Sequence, residues 1–310
     1  MKIVFMGTPE FGRIVLERLL DSDNTVLCVV CQPDKLGNRN KLKQCEVKSF
    51  ALSKDIAVYD WQNVSEDGVE TLKTLGADVF VTAAYGQMLS EEILSVAPHG
   101  VINVHGSLLP KYRGASPIQR AVMDGLTTTG VTIVKTALKM DAGDIVAQAT
   151  AEILPSDTAD DMFLKLAKLG GDLLVKTLDD IKTGKATFTP QDEKQVTFCK
   201  KIKAEEEIID WSMPADKLSC KIRGLSSVPA AYSVLNGKRF KIYNCRVFSG
   251  DIGQPLKEGE IHYEKKQMIV GCGNGTLLAL TDVQAAEGKR MAICDFLNGL
   301  KNRPQKFDRL

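Results

Sequence analysis

The sequence predicts an α/β chain: a doubly wound, mostly parallel sheet followed by a smaller β-barrel domain. Three observations carry this. Short, continuous apolar runs alternate with amphipathic stretches as far as about Ile181, the pattern of a parallel sheet covered on both faces. The opening run ends on Gly7 and passes directly into a helical pattern, the strand-turn-helix start of a doubly wound domain. Beyond Trp211 the pattern changes to short alternating segments punctuated by glycine, which read as a small barrel.

Each element follows from local chemistry. Met1-Lys-Ile-Val-Phe-Met-Gly7 is the first strand. Pro9 suits the first turn of the next helix, where a missing N–H is harmless, and Ile14, Val15, Leu16, Leu19 and Leu20 recur at helical spacing. Thr25 to Cys31, Asp78 to Ala84 and Gly100 to His105 are further strands, with helices over Glu66–Leu75 and Glu91–Val96. Gly130–Val134 and Asp144–Ala149 read as later strands, antiparallel at an edge. A long amphipathic helix runs from Asp157–Asp161 to about Ile181; Thr158 with Asp161 resembles a capping box, and Gly184 stops it. Lys185 to Asp210 carries Pro190, many charges and little periodicity, and reads as a linker. Pro214–Gly224 is one more helix. Ala231–Leu235, Phe240–Tyr243, Glu260–Tyr263, Met268–Val270 and Thr276–Leu280 are the barrel strands, with the boundary near Ala204.

Composition narrows the class. The chain has 310 residues, 44% hydrophobic and 25% charged. At roughly 150 residues per domain that suggests two domains. A chain of this size buries about three quarters of its unfolded surface, so it needs no disulfide or metal to hold a core. A disordered chain, a small disulfide scaffold and a collagen are excluded. The net charge of +1 hides an asymmetry: Lys200 to Leu310 carries 19 basic and 13 acidic side chains (+6), and the remainder 21 and 26 (−5). A basic back end is a hint of a polyanionic partner, and ordinary scatter of solvated charge is the competing reading. Cys28-Val-Val-Cys31 has C-x-x-C spacing but lies in an apolar strand, and no second pair completes a zinc site. The eight cysteines therefore read as free thiols in a reducing compartment. With no signal-peptide pattern and no run long enough to span a bilayer, the chain is expected to be soluble and cytoplasmic.

Four constellations could carry chemistry. Gly7-Thr-Pro-Glu-Phe-Gly12 lacks the Lys-Ser/Thr of a P-loop and the spacing of a dinucleotide fingerprint, which leaves a strand-to-helix turn or an anion-binding helix start. Asn103-Val-His105-Gly-Ser-Leu-Leu-Pro110 lies at the carboxyl end of a strand, where open α/β sheets bind ligands. Asn103 and His105 are two residues apart, so both point to one face and could donate to a developing oxyanion. Asp141-Ala-Gly-Asp144 is a turn whose carboxylate could orient a histidine, or a plain Asx turn. Asp34 to Lys48 holds five Lys or Arg against two acids, a loop whose charge suits phosphate contacts.

Together these residues resemble the methionyl-tRNA formyltransferase family. The resemblance rests on Gly7-Thr-Pro-Glu-Phe, Gln32-Pro-Asp, Ala84-Tyr-Gly, Asn103-Val-His-Gly-Ser-Leu-Leu-Pro-Lys-Tyr-Arg-Gly-Ala-Ser-Pro-Ile-Gln119 and Asp141-Ala-Gly-Asp144. It extends to Ile209-Asp-Trp-Ser212 at the junction and Lys289-Arg-Met near the end. The 103–119 stretch is highly specific, whereas Asn-x-His with a distant Asp is shared by enzymes that use 10-formyltetrahydrofolate.

The resemblance implies a Rossmann-like catalytic domain over 1–184, a linker over 185–204 and an OB-like, tRNA-binding β-barrel over 205–310. It implies formyl transfer from 10-formyltetrahydrofolate, as co-substrate and without a metal, to the amino group of methionyl initiator tRNA by a monomer. Asn103, His105 and Asp141 fall where that family has its catalytic residues. Ser107, Leu108, Leu109 and Pro110 match its folate stretch, and Arg39, Lys41 and Lys43 lie in the loop it inserts toward the tRNA acceptor end. Two departures stand out. The family's loop usually reads Gly-Arg-Gly-Lys-Lys, and here it reads Gly37-Asn-Arg-Asn-Lys-Leu-Lys43; Arg223-Gly-Leu-Ser-Ser-Val-Pro-Ala230 lacks the Trp common before that proline. The alternatives at this point are a formyltransferase acting on an amino-sugar nucleotide, a hydrolase of the same folate, and a tRNA-binding or folate-sensing module without catalysis.

Overall fold

The computed structural model describes residues 1–36 and 42–308, apart from the side chains of residues 35 and 36. The chain divides into two compact units. The first comprises residues 1–117, 128–152 and 163–199, and the second residues 118–127, 153–162 and 200–310.

In the first unit β1 (Lys2–Gly7), α1 (Glu10–Leu20) and β2 (Thr25–Val30) follow one another as the opening pattern predicts. The two-residue strands β3 (Lys35–Leu36) and β4 (Leu42–Lys43) pair with each other and flank the segment 37–41. Then come α2 (Glu46–Leu52), β5 (Val58–Tyr59), α3 (Val69–Thr74), β6 (Val79–Ala83), α4 (Glu91–Val96) and β7 (Val101–His105). The helix expected over Glu66–Leu75 opens with one wider turn, Val64–Gly68, before α3. β8 (Arg113–Gly114), α5 (Pro117–Met123), β9 (Thr128–Lys135), β10 (Ile145–Glu152), α6 (Ala159–Lys182) and β11 (Phe198–Cys199) complete the series, of which α5 after Pro117 and the first turn of α6 belong to the second unit.

The main sheet has the order β10-β9-β7-β6-β1-β2-β5. Its five strands from β7 to β5 pair in parallel, whereas β9 runs antiparallel to β7 and β10 antiparallel to β9. Strand order reverses at β1, which pairs with β2 on one side and β6 on the other, so the ligand-binding crevice of such a sheet lies at these carboxyl ends. One face buries Val4, Met6, Val30, Phe80 and Val101 against Leu72 of α3 and Ile93 of α4. Cys28 and Cys31 are both buried in or beside β2, as the apolar run implied. Thr158 and Asp161 make a full capping box at the start of α6: the Thr158 N–H donates to Asp161 Oδ2 at 2.9 Å, and the Asp161 N–H to Thr158 Oγ1 at 3.3 Å.

The second unit contains α7 (Ala215–Leu225), β12 (Ala231–Leu235), β13 (Lys238–Phe248), β14 (Ile261–Glu264), β15 (Gln267–Gly271), β16 (Leu277–Gln284), β17 (Met291–Ala292) and α8 (Ile293–Asn298). The strands form an antiparallel sheet of order β12-β13-β16-β15-β14, with β17 added to β16. β13 bends at Asn244, where its register with β16 shifts, and a bulge of this kind lets one strand turn a corner of a partly open barrel. The junction motif is structural in this unit. Trp211 is buried, donates through Nε1 to Ser233 Oγ at 3.0 Å and stacks on Phe307 at 4.9 Å. Asp210 Oδ1 accepts from the Ser212 amide and hydroxyl, which holds the turn beside it.

Candidate active site

β7 delivers Asn103 and His105 to the sheet's carboxyl edge on one face, as the two-residue spacing requires. Thr82, opposite Asn103 on β6, donates its hydroxyl to Asn103 Oδ1 at 2.8 Å. That contact fixes the amide through its oxygen and leaves the NH₂ group as a donor that no partner takes among the described residues. His105 is buried, and its Nε2 lies 3.1 Å from the Tyr112 carbonyl. Since a carbonyl only accepts, Nε2 carries the proton in this contact. The opposite nitrogen, Nδ1, lies 3.6 Å from Asp141 Oδ1. This exceeds a hydrogen bond and is within ion-pair range, so a small movement converts it into one.

Asp141 comes from the turn between β9 and β10. It has a left-handed φ of 51°, and its Oδ2 accepts from the Gly114 amide at 2.8 Å. One carboxylate oxygen is therefore anchored while the other faces the imidazole. The structure thus brings together the Asn-x-His pair and the distant aspartate that the sequence kept apart.

The 107–110 turn is held from beneath. Thr132 of β9 is fully buried, donates its hydroxyl to the Ser107 carbonyl at 2.7 Å, and accepts from the Leu109 amide at 3.0 Å. Gln148 of β10 donates to both Thr132 Oγ1 and the Leu109 carbonyl, at 2.9 and 2.8 Å. Ser107 turns its own hydroxyl to the Lys111 carbonyl at 2.7 Å, and Leu109 is buried. Leu108 and Pro110 are only half-buried, so this segment offers a ligand their side chains and the turn's backbone. Thr132 and Gln148 carry no motif that sequence reasoning could have used.

The basic loop is seen only at its base. Arg39 and Lys41 lie outside the described residues. Lys43 is exposed and pairs with Glu46 at 3.0 Å. Lys48 bridges Asp34 and Asp60, each at 2.8 Å, which ties the loop's start to α2 and to the segment after β5. The turn after β1 is tied to its neighbours too. Thr8 donates its hydroxyl to the Tyr85 carbonyl at 2.9 Å and accepts from the Gln32 amide at 3.2 Å. Among the described residues no group of three or more His, Cys, Asp or Glu is placed to hold a metal ion, and no helix is long and apolar enough to cross a membrane.

Known proteins share this sequence pattern and fold. Residues 1–178 match the formyl transferase family, and residues 201–301 match the formyl transferase C-terminal domain. The chain is 40% identical over 313 aligned positions to the methionyl-tRNA formyltransferase of Dictyoglomus turgidum, covering 99% of each. It is 43% identical to that of Lactococcus lactis subsp. lactis (strain IL1403), covering 99% of this chain and 98% of the relative. Among solved structures, the N-formyltransferase of Helicobacter canadensis in complex with folinic acid and dTDP-3-aminofucose shares the fold, with a TM-score of 0.69 at 17% identity, covering 90% of this chain and 98% of that one. The family match and the identity over nearly the whole chain agree: the chain belongs to the methionyl-tRNA formyltransferase family.

Proposed function

We propose that the chain transfers the formyl group of 10-formyltetrahydrofolate to the α-amine of methionyl initiator tRNA, in the cytoplasm, as a monomer, at the Asn103–His105–Asp141 site. The observation that carries the site is the pairing, on one strand end, of an Asn103 amide held by Thr82 through its oxygen with a buried His105 whose Nδ1 faces Asp141. The relatives named for this reaction cover nearly the whole chain, which supports the substrates.

The chemistry follows from the donor set. The neutral amine attacks the formyl carbon, and negative charge builds on the formyl oxygen. The Asn103 NH₂ group donates to that oxygen, and His105 joins it when its Nε2–H exchanges the Tyr112 carbonyl for the formyl oxygen; one such donor contributes about 10²–10³ in rate. The new C–N bond forms as the bond to N10 of the folate breaks. The amine's proton passes by way of the His105–Asp141 unit to that nitrogen, so formylmethionyl-tRNA and tetrahydrofolate result. The folate fits the 107–110 turn through backbone groups and the half-buried Leu108 and Pro110. Arg39, Lys41 and Lys43 form a basic approach for the acceptor end, and the net +6 of Lys200–Leu310 suits a tRNA-binding second domain.

The test is acceptor choice. Purified protein with 10-formyltetrahydrofolate is offered methionyl initiator tRNA, an amino-sugar nucleotide, or water alone. Formylmethionine from the first supports the reading. Formyl transfer only to the sugar, or free formate only, contradicts it.

A further inference from the structure

Asp141 must be held in an unfavourable backbone conformation with one carboxylate oxygen aimed at His105. The residues that do this come from an unexpected place. Residues 185–199, which the sequence marks only as polar and aperiodic, return to the sheet: Thr189 bridges to Ile145, and β11 pairs with β8. This return places Gln191 beneath the Asp141 turn. Its Nε2 donates to the backbone carbonyls of both Asp141 and Gly143, each at 2.7 Å. Gly143 is packed so closely that a Cβ there would lie 1.6 Å from the Lys135 carbonyl oxygen, so the turn needs glycine at this position.

Gln191 is itself fixed. Its Oε1 accepts from Arg113 Nε at 3.0 Å, and Arg113 Nη2 pairs with Glu193 at 2.8 Å. Arg113 is completely buried, and its Nη1 has no hydrogen-bond partner among the described residues. A guanidinium buried with one nitrogen unpaired is a costly space-filler compared with an apolar side chain. Its position accounts for it. Arg113 holds Gln191 through its side chain, and the next residue, Gly114, gives its amide to Asp141 Oδ2. One short strand therefore controls both the backbone and the carboxylate of Asp141.

We propose that Gln191 and Arg113 are positioning residues for the reaction, acting through Asp141 on His105. The proposal rests on the reading of Asp141 given above. Gln191 clamps the turn, and Arg113 orients Gln191.

The test is a double-mutant cycle in steady-state formylation with methionyl initiator tRNA and 10-formyltetrahydrofolate. Gln191→Leu keeps side-chain volume and removes the two donations. It should lower kcat about tenfold to a hundredfold, the scale of a misplaced catalytic group, with KM for both substrates within about twofold. On the Asp141→Ala background the same substitution should have no further effect, because both changes act through one group. Full kcat in Gln191→Leu, or losses that multiply in the double variant, would overturn the proposal. Full kcat in Asp141→Ala would overturn instead the site reading beneath it. Gln191→Glu guards against misfolding of the leucine variant: it keeps the acceptor for Arg113, loses the amide donors, and should show at least the same kcat loss in a chain that still unfolds cooperatively. Unchanged kcat in that variant also overturns the proposal.

Discussion

Thr132→Val removes a hydroxyl while keeping the shape of a fully buried side chain. In the native chain that oxygen makes three contacts: it donates to the Ser107 carbonyl at 2.7 Å and accepts from the Leu109 amide and Gln148 Nε2 at 3.0 and 2.9 Å. Gln148 keeps its second acceptor, the Leu109 carbonyl, so it is not orphaned. The Ser107 carbonyl and the Leu109 N–H are. Each unsatisfied buried backbone group costs about 1–3 kcal/mol. The added methyl returns about 1 kcal/mol, so the net loss is about 3 kcal/mol. Thr132→Ser is the control: it keeps the hydroxyl, drops one methyl, and should cost about 1 kcal/mol. Equilibrium urea denaturation measures both. Hydrogen exchange at Leu109 reports the lost contact directly, and KM for the folate should rise in Thr132→Val more than in Thr132→Ser. Equal stability of the two variants, with equal KM, would refute the argument that this hydroxyl shapes the turn.

Three further outcomes are expected. The Cys31 thiol hydrogen-bonds Cys45, and with the Lys48 and Val47 amides it lowers the Cys45 thiol below its ordinary value, against the opposing effect of burial. Native-state alkylation of Cys45 should therefore rise through a midpoint below the ordinary thiol value of about 8.5, and Cys31→Ala should move that midpoint upward. Glu206, paired with Arg120 at 2.5 and 2.9 Å, is held down to about 2 from 4.5. A depressed carboxylate stabilises the fold above its unfolded value and loses that contribution as pH falls through the folded one, so Glu206→Gln should flatten the loss of stability below about pH 4.5. Arg39→Ala, Lys41→Ala or Lys43→Ala should raise KM for charged tRNA and lower its salt slope by about one per phosphate contact, and a salt-independent KM contradicts the role of the loop.

The parts of the site that the sequence made legible are those carried by local periodicity. Asn103 and His105 share a face because a strand has period two, and β7 ends at a carboxyl edge because the apolar run stops at His105. The antiparallel edge was visible in the separate runs that became β9 and β10. What stayed hidden depends on contacts distant in sequence. Thr132 and Gln148 look like ordinary strand residues until the sheet sets them under the 107–110 turn. Gln191 sits in a stretch with no apolar repeat, and its role arises only because residues 185–199 come back to β8. Trp211 stood out as part of a junction motif, but its task is to fill the core of the second unit. Asp141 could be singled out by resemblance, whereas its left-handed backbone and its Gly114 anchor required coordinates.

The central claim is that formyl transfer occurs at Asn103, His105 and Asp141. The most direct measurement is a single-turnover reaction of enzyme in excess over methionyl initiator tRNA, with saturating 10-formyltetrahydrofolate, comparing the native chain with His105→Ala and Asn103→Ala. The account predicts rapid formylmethionine formation by the native chain. It predicts a loss of about 10²–10³ in the rate of the chemical step for each variant, with substrate binding little changed. Native-like single-turnover rates in either variant would contradict it.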